Sequence, residues 1–440
     1  MKHDLTRRRL LTNALLATSG AALGSSASSR TFAASDDYKG PLLVTLQLDG
    51  GVDVTSWCDP KVNTPGEPKI NYWADDAAPL KARGITYAPY ADNERLFGKY
   101  ARDMLVVNGV DAQTNAHSTG ILFNWSGRNS SGAPSLTALH AAKHGKNLPL
   151  AYTSLGGFSA TANLTRFTRM WDITSIKGLL DPFSNEWDGQ PSRAPRETEL
   201  IRRFVDDSVD ELAKTSISRR QLANLAAYRE ARANRGSMTR LFDILPPNDE
   251  FEQPVFLDVP GGAQSDLKRR MQGVLLIFKA GLGTAADLSL QGFDSHNAND
   301  AWQVPLLTHV TDALDFFWSY AQELGIANRI TLLIGSDFGR TNFYNDSDGK
   351  DHWNIGSYIV MSPKAPWGGR VVGATDELHF ARPINPKTLK PANNGIVMTP
   401  SHVHLALRRQ LGLERFANDA GFPLDVEAVD MFNRNKRTVG

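Results

Sequence analysis

Asp and His residues placed at the ends of apolar runs are the part of this sequence best equipped for chemistry. Asp49 follows the run 42–48, and Asp53 comes four residues later. Asn115-Ala116-His117-Ser118-Thr119 follows a second run at 104–107, and Asp294-Ser295-His296 precedes a long helical pattern. Asp337 follows a third run at 330–335, while Asp351-His352 stands just ahead of a fourth at 357–361. Carboxylates and imidazoles gathered in one place repel or desolvate one another unless positive charge sits among them. A divalent metal ion, or a pair, is the simplest such charge. A mixed Asp and His donor set suits zinc, manganese or iron better than calcium or magnesium. Taken singly, Asn115, Ser118 and Asp294 also read as helix caps and turn residues. It is the set, at successive strand ends, that points to a metal site.

The elements that must position these residues follow from periodicity. The four runs are short and apolar, as buried strands are, and the first is closed by Asp49-Gly50-Gly51. A helix is predicted over 118–125, closed by Gly127. Another is predicted over 302–324, where Leu306, Val310, Leu314, Phe317, Tyr320 and Leu324 recur at helical spacing before Gly325. Strands alternating with helices imply an α/β fold with a largely parallel central sheet flanked by helices. In such a sheet ligands bind beyond the carboxyl ends of the strands, where these polar residues fall. The stretch 197–241, rich in Arg, Glu, Ala and Leu and free of proline, reads as a helical insertion packed on that core. The segments 60–100 and 375–400 read as long surface loops.

The first residues, Thr6-Arg7-Arg8-Arg9-Leu10-Leu11, place a twin-arginine pair before a soft apolar stretch, with Thr31 and Ala33 at a plausible cleavage site. The reading is a signal peptide over 1–33 and an α/β domain over 38–440. The chain would be exported folded by the twin-arginine translocase to the periplasm or beyond. Removal of the leader takes the formal charge from +1 to −3, which leaves no electrostatic footprint for nucleic acid. Cys58 is the only cysteine, so no intramolecular disulfide forms. No transmembrane segment is expected in the mature chain.

The order Asp49-Gly50-Gly51, the polar helix start at 115–119, Asp294-x-His296, Ser336-Asp337-Phe338-Gly339-Arg340-Thr341 and Asp351-His352-Trp353 resembles domain-of-unknown-function family 1501. That group is bacterial, twin-arginine-exported, and placed within the alkaline phosphatase and sulfatase superfamily. The resemblance implies an alkaline-phosphatase-like three-layer sandwich holding one or two metal ions. By position, Asp294, His296 and His352 would bind one ion, and Asp49 and Asp337 the other. The superfamily's nucleophile position, counted back from Gly127, falls on His117, with Ser118 and Thr119 beside it. His117 is then a ligand, a nucleophile, or a replacement for a lost one. If Ser118 or Thr119 is the nucleophile, a helix N-terminus and a metal both favour its anion. Phe338 stands where phosphatases of the superfamily have a His. Arg340 is a candidate to grip the charged oxygens of an ester. The implied activity is hydrolysis of phosphate or sulfate esters of a small molecule or polymer. The alternative is a non-catalytic relative that binds a ligand or partner. Trp125, Trp302, Trp353 and Trp367 are either core residues or a carbohydrate platform.

Overall fold

The computed structural model describes residues 38–171, 193–216, 218–233 and 235–433. The leader read at 1–33 lies outside the described residues.

The run 42–48 becomes β1 (Leu42–Asp49), the centre of an eight-stranded sheet. The other strands are β2 (Met104–Asp111), β3 (Tyr152–Leu155), β4 (Thr168–Arg169), β5 (Ala285–Gln291), β6 (Ile330–Ser336), β7 (Ile355–Met361) and β8 (Arg370–Val372). Their order is β8-β2-β7-β6-β1-β5-β3-β4. β1 runs parallel to β6, with Leu42 opposite Ile330, and parallel to β5, with Asp49 opposite Gln291. Only β7 is reversed, lying antiparallel to both β6 and β2. That reversal matters for the site. A parallel successor to β6 would begin at the far end of the sheet, whereas an antiparallel one begins where β6 stops. The residues just after β6 and just before β7 therefore share one edge.

Alternate residues of β1 serve different cores. Leu42, Val44, Leu46 and Leu48 pack with α1 (Asn93–Tyr100), α7 (Leu267–Lys279) and α8 (Asn299–Glu323). Leu43 packs on the other face with Leu105, Val107 and Leu333, under α2 (His117–Ser126), α3 (Leu136–His144), α9 (Pro400–Gln410) and α10 (Glu414–Asp419). The result is the expected α/β arrangement, a mostly parallel sheet between two helical layers. α2 and α8 match the two predicted helices, and Gly127 and Gly325 both take positive φ at their C-terminal ends (76° and 71°).

Three features differ from expectation. The segment 60–100 holds a hairpin, Leu80–Ala82 with Ile85–Tyr87, and α1. The stretch around 197–241 forms three helices, α4 (Pro195–Thr215), α5 (Arg219–Ala233) and α6 (Arg235–Ile244), and Leu241 joins the core while Leu200, Phe204 and Leu212 are exposed. Strands β3, β4, β5 and β8 carried no expectation. Among the described residues no helix is long and apolar enough to cross a membrane.

Candidate metal centre

The turn after β1 brings Asp49 to the sheet edge and is permitted by glycine. Gly50 has φ +118°, and a Cβ there would run into the backbone nitrogen of Asp294. The loop after β5 can therefore lie directly on the loop after β1, and Phe293 N–H donates to the Asp49 carbonyl at 3.2 Å. From β5 the chain passes Gly292 and delivers Asp294 and His296. β6 delivers Asp337. His352 belongs to a two-stranded ribbon in which it faces Arg340. His117 is the first residue of α2.

These elements converge. His117, Asp294 and His352 offer ligand atoms that all lie within 4.8 Å of one another. His296 adds its Nε2 at 2.9 Å from Nε2 of His352 and 3.1 Å from Asp294 Oδ1. The outer nitrogens explain the orientation. His352 Nδ1 donates to the Asn115 carbonyl at 2.8 Å, and a carbonyl can only accept. His296 Nδ1 sits 2.7 Å from the Asp351 carboxylate, and His117 Nδ1 is paired with Asp337. Each ring thus carries its proton on Nδ1 and, when neutral, turns a bare Nε2 lone pair inward. Two such lone pairs 2.9 Å apart repel unless a proton or a cation lies between them. Nε2 of His117 is buried with no hydrogen-bond partner among the described residues, 3.5 Å from Asp294 Oδ2. An orphaned buried nitrogen beside a carboxylate and two further imidazoles is a donor set that a zinc-, manganese- or iron-like ion fits.

A second group of acids adjoins the first. The hydrogen bond to Asp337 holds the His117 imidazole above its usual pKa. Asp337 is buried, accepts from Gly50 N–H at 3.1 Å and from Ser336 Oγ at 2.8 Å, and reaches His117 with its other oxygen. Burial, and then repulsion by Asp337, pushes the Asp49 carboxyl up to about 7, although Ser289 hydrogen-bonds to it. Like charge concentrated here is what a cation would relieve. At Asp294, burial pushes the pKa up, but the Arg340 hydrogen bond and charge outweigh it and hold it below the ordinary value.

Of the residues singled out in the sequence, the structure brings Asp49, His117, Asp294, His296, Asp337 and His352 to one edge. Arg340 is placed differently from expectation. Its side chain has no exposed surface, and it donates to the carbonyls of Gly51 (3.0 Å), Lys350 (2.9 Å) and Gly50 and to Asp294. It clamps three loops together and presents no free fork to a substrate. Ser118 is exposed on the first turn of α2, and no hydrogen bond among the described residues ties it or Thr119 to the cluster. Phe338 is buried with its ring centroid 4.7 Å from those of both His117 and His352, so it packs against the two rings as a wall.

Sequence reasoning missed Asp351 and the Asn115 carbonyl as the groups that set ring orientation, and Lys350 as an anchor. Lys350 Nζ is buried and donates to Asp53 Oδ2 at 2.8 Å, pinning the segment that ends in Asp351-His352. Burial pushes the Asp53 pKa up, but the Lys350 charge and hydrogen bonds more than reverse this. Asp53, suspected from its place after β1, is therefore a structural counter-ion. A charged residue directly before Asp-His was the available signal for Lys350. For Ser289 it was the alternation in Ala285–Gln291 ahead of Gly292.

Three solved structures illustrate what the chain resembles. A Bacteroides thetaiotaomicron protein from a locus for metabolism of multiple glycosaminoglycans aligns with TM-score 0.41 and 11% identity, over 91% of this chain and 78% of that one. The phosphonate monoester hydrolase of Agrobacterium radiobacter gives 0.36 and 12%, over 91% and 78%. The alkaline phosphatase of the Antarctic bacterium TAB5 gives 0.35 and 7%, over 85% and 99%. Scores and identities this low say nothing of this chain's chemistry. No curated protein matches the chain. The family model described as "Protein of unknown function (DUF1501)" matches residues 41–394, a span that contains the entire cluster, and the chain belongs to that family.

Proposed function

We propose that this chain is a metal-dependent hydrolase of phosphate or sulfate esters, exported by the twin-arginine route and active outside the cytoplasm. The observation that carries the proposal is the orientation of His117, His296 and His352. Each is held at Nδ1 by a different group, so that three Nε2 atoms come within 3.1–3.5 Å of the Asp294 carboxylate. These four residues would hold one ion, and Asp49 and Asp337 would hold a second if two are taken up. A divalent ion bound there supplies Lewis acidity toward an ester oxygen and acidifies water.

The chain's own groups account for the rest. The first turn of α2 has no side-chain cap, so its leading N–H groups are free to meet the anionic ester group at the helix N-terminus. Arg340 keeps the loops after β1 and β5 in register and Asp294 aimed into the cluster. Ser336 Oγ, which donates to Asp337, is buried and also accepts from the N–H groups of Gly51 and Val52, so water would be the nucleophile, with Asp49 as the group to take its proton if one ion is bound.

The test is elemental analysis of the exported, chelator-free protein, followed by assays on p-nitrophenyl phosphate and p-nitrophenyl sulfate, with Asp337→Ala and Ser118→Ala in parallel. One or two equivalents of zinc, manganese or iron, with turnover lost in Asp337→Ala and kept in Ser118→Ala, is the expected result. Metal-free protein without turnover would sink the hydrolase. The reading that would then remain is a ligand-binding relative. It is favoured by one observation, that neither Ser118 nor Thr119 is hydrogen-bonded to the cluster among the described residues, and predicts binding of the same esters without cleavage.

A further inference from the structure

A cavity of about 660 Å³ opens on the β3 side of the cluster. Its floor is Ser289 to Gly292, at the end of β5, and Gly292 lies two residues before Asp294. Its far wall comes from residues 155–171 and 257–266, the segments that lead into and out of the helical insertion. The cavity is far larger than a phosphate or sulfate group needs and falls within the usual size of small-molecule sites. It has room for the rest of an ester, and its lining reaches Gly292, two residues before Asp294.

The lining is selective in kind. Trp171, highly exposed, and Trp302, half-buried, present indoles, and Arg169, Arg270, Gln264 and Gln291 supply polar groups. Arg270 is held in place, donating from Nη1 to the Leu155 carbonyl at 2.7 Å and lying 2.8 Å from Asp266 through Nε. Arg169 is exposed, rests over the Phe167 ring, and pairs with no carboxylate among the described residues. Among the described residues that line it, two guanidinium groups stand against one carboxylate, a positive excess. An apolar group would leave the amides and guanidinium groups without partners, at a cost in binding. A hydroxylated ring satisfies both features, because its C–H face lies on an indole while its hydroxyls reach the amides. An anionic substituent on that ring matches the charge excess.

We infer that this cavity is the subsite for the alcohol part of the substrate ester, and that this alcohol is a sugar ring carrying a negative charge of its own. The inference rests on the hydrolase reading only for the identity of the bond that is broken. It also gives the helical insertion a purpose, since the segments flanking it build the wall that selects the substrate.

The test titrates the full chain with a glucuronic-acid-containing disaccharide, which has no ester to cleave, and with phenyl phosphate, following intrinsic tryptophan fluorescence and calorimetry. The disaccharide should bind. Trp171→Ala and Arg169→Ala, both at exposed positions, should each weaken it about 10-fold, while stability in urea unfolding stays at the wild-type level. Asp337→Ala should abolish turnover and leave disaccharide binding intact, so loss of the hydrolase reading and loss of the subsite are told apart. Equal disaccharide affinity in wild type and both variants, or no disaccharide binding at all, overturns the assignment. So does phenyl phosphate displacing the disaccharide from this cavity with higher affinity, which would make it an aromatic pocket.

Discussion

Arg340 has no exposed side-chain surface, yet it donates to the carboxylate of Asp294, which stands half exposed in the candidate metal centre. Its remaining contacts are to the carbonyls of Gly50, Gly51 and Lys350. One buried cation thus connects the turn after β1, the loop after β5 and the segment before β7.

Arg340→Lys keeps the charge and loses the fork. Several backbone carbonyls would be left without donors, at about 1–3 kcal/mol for each buried group. A loss of about 3 kcal/mol in unfolding free energy is expected from urea titration, together with metal affinity lower by roughly 10–100-fold. Wild-type stability in this variant would show that the clamp is not needed.

Asp351→Asn tests the orientation of His296 separately from stability. The hydrogen bond from His296, chiefly, holds the Asp351 pKa below the ordinary carboxylate value. Asp351 is about half exposed (53%), so its replacement should change stability by no more than about 0.5 kcal/mol. Metal affinity, measured by competition with a chromogenic chelator, should fall roughly 10-fold or more. Unchanged affinity would remove His296 from the ligand set.

Lys350→Met leaves the Asp53 carboxylate buried without its counter-ion. Both side chains have 0% exposure, so the expected cost is about 3–5 kcal/mol. The double variant Lys350→Met with Asp53→Asn should recover much of that in urea unfolding. A double variant no more stable than the single one would mean that lost packing, not stranded charge, is the cause.

Acid should weaken the fold through histidines remote from the cluster. Burial pulls the pKa of His140 and His404 down to about 3, and that of His309 and His379 down to about 4. The unfolded chain titrates near the ordinary histidine value of about 6.5. Below that value the unfolded state binds more protons, so stability is fully present above it and falls as pH drops toward the folded pKa values. The slope is about 1.4 kcal/mol per pH unit for each histidine. Among the described residues neither ring nitrogen of His140 has a hydrogen-bond partner. His140→Leu should therefore gain about 2 kcal/mol on wild type between pH 7.5 and pH 5 in urea unfolding. Parallel pH profiles for the two proteins would contradict this.

The sequence alone determined the kind of fold and many of the residues that meet at the site. Short apolar runs that end abruptly in Asp, Gly or Asn mark strand ends, and parallel strands put such ends on one edge, so Asp49 and Asp337 were legible as neighbours. Four strands were not legible. β5 carries Asp287 in its middle, buried and accepting from Thr45, Tyr152 and Ser159, and that polar residue breaks the apolar run by which a strand is recognised. Only the tertiary structure decided the reversal of β7, which returns His352 to the edge where β6 leaves Asp337. It also decided that Arg340 is sealed inside as a clamp. The inward turn of three Nε2 atoms depends on Asp337, Asp351 and the Asn115 carbonyl. One of those groups lies 220 residues from its histidine and another 237, and local patterns carry no information about contacts at that range.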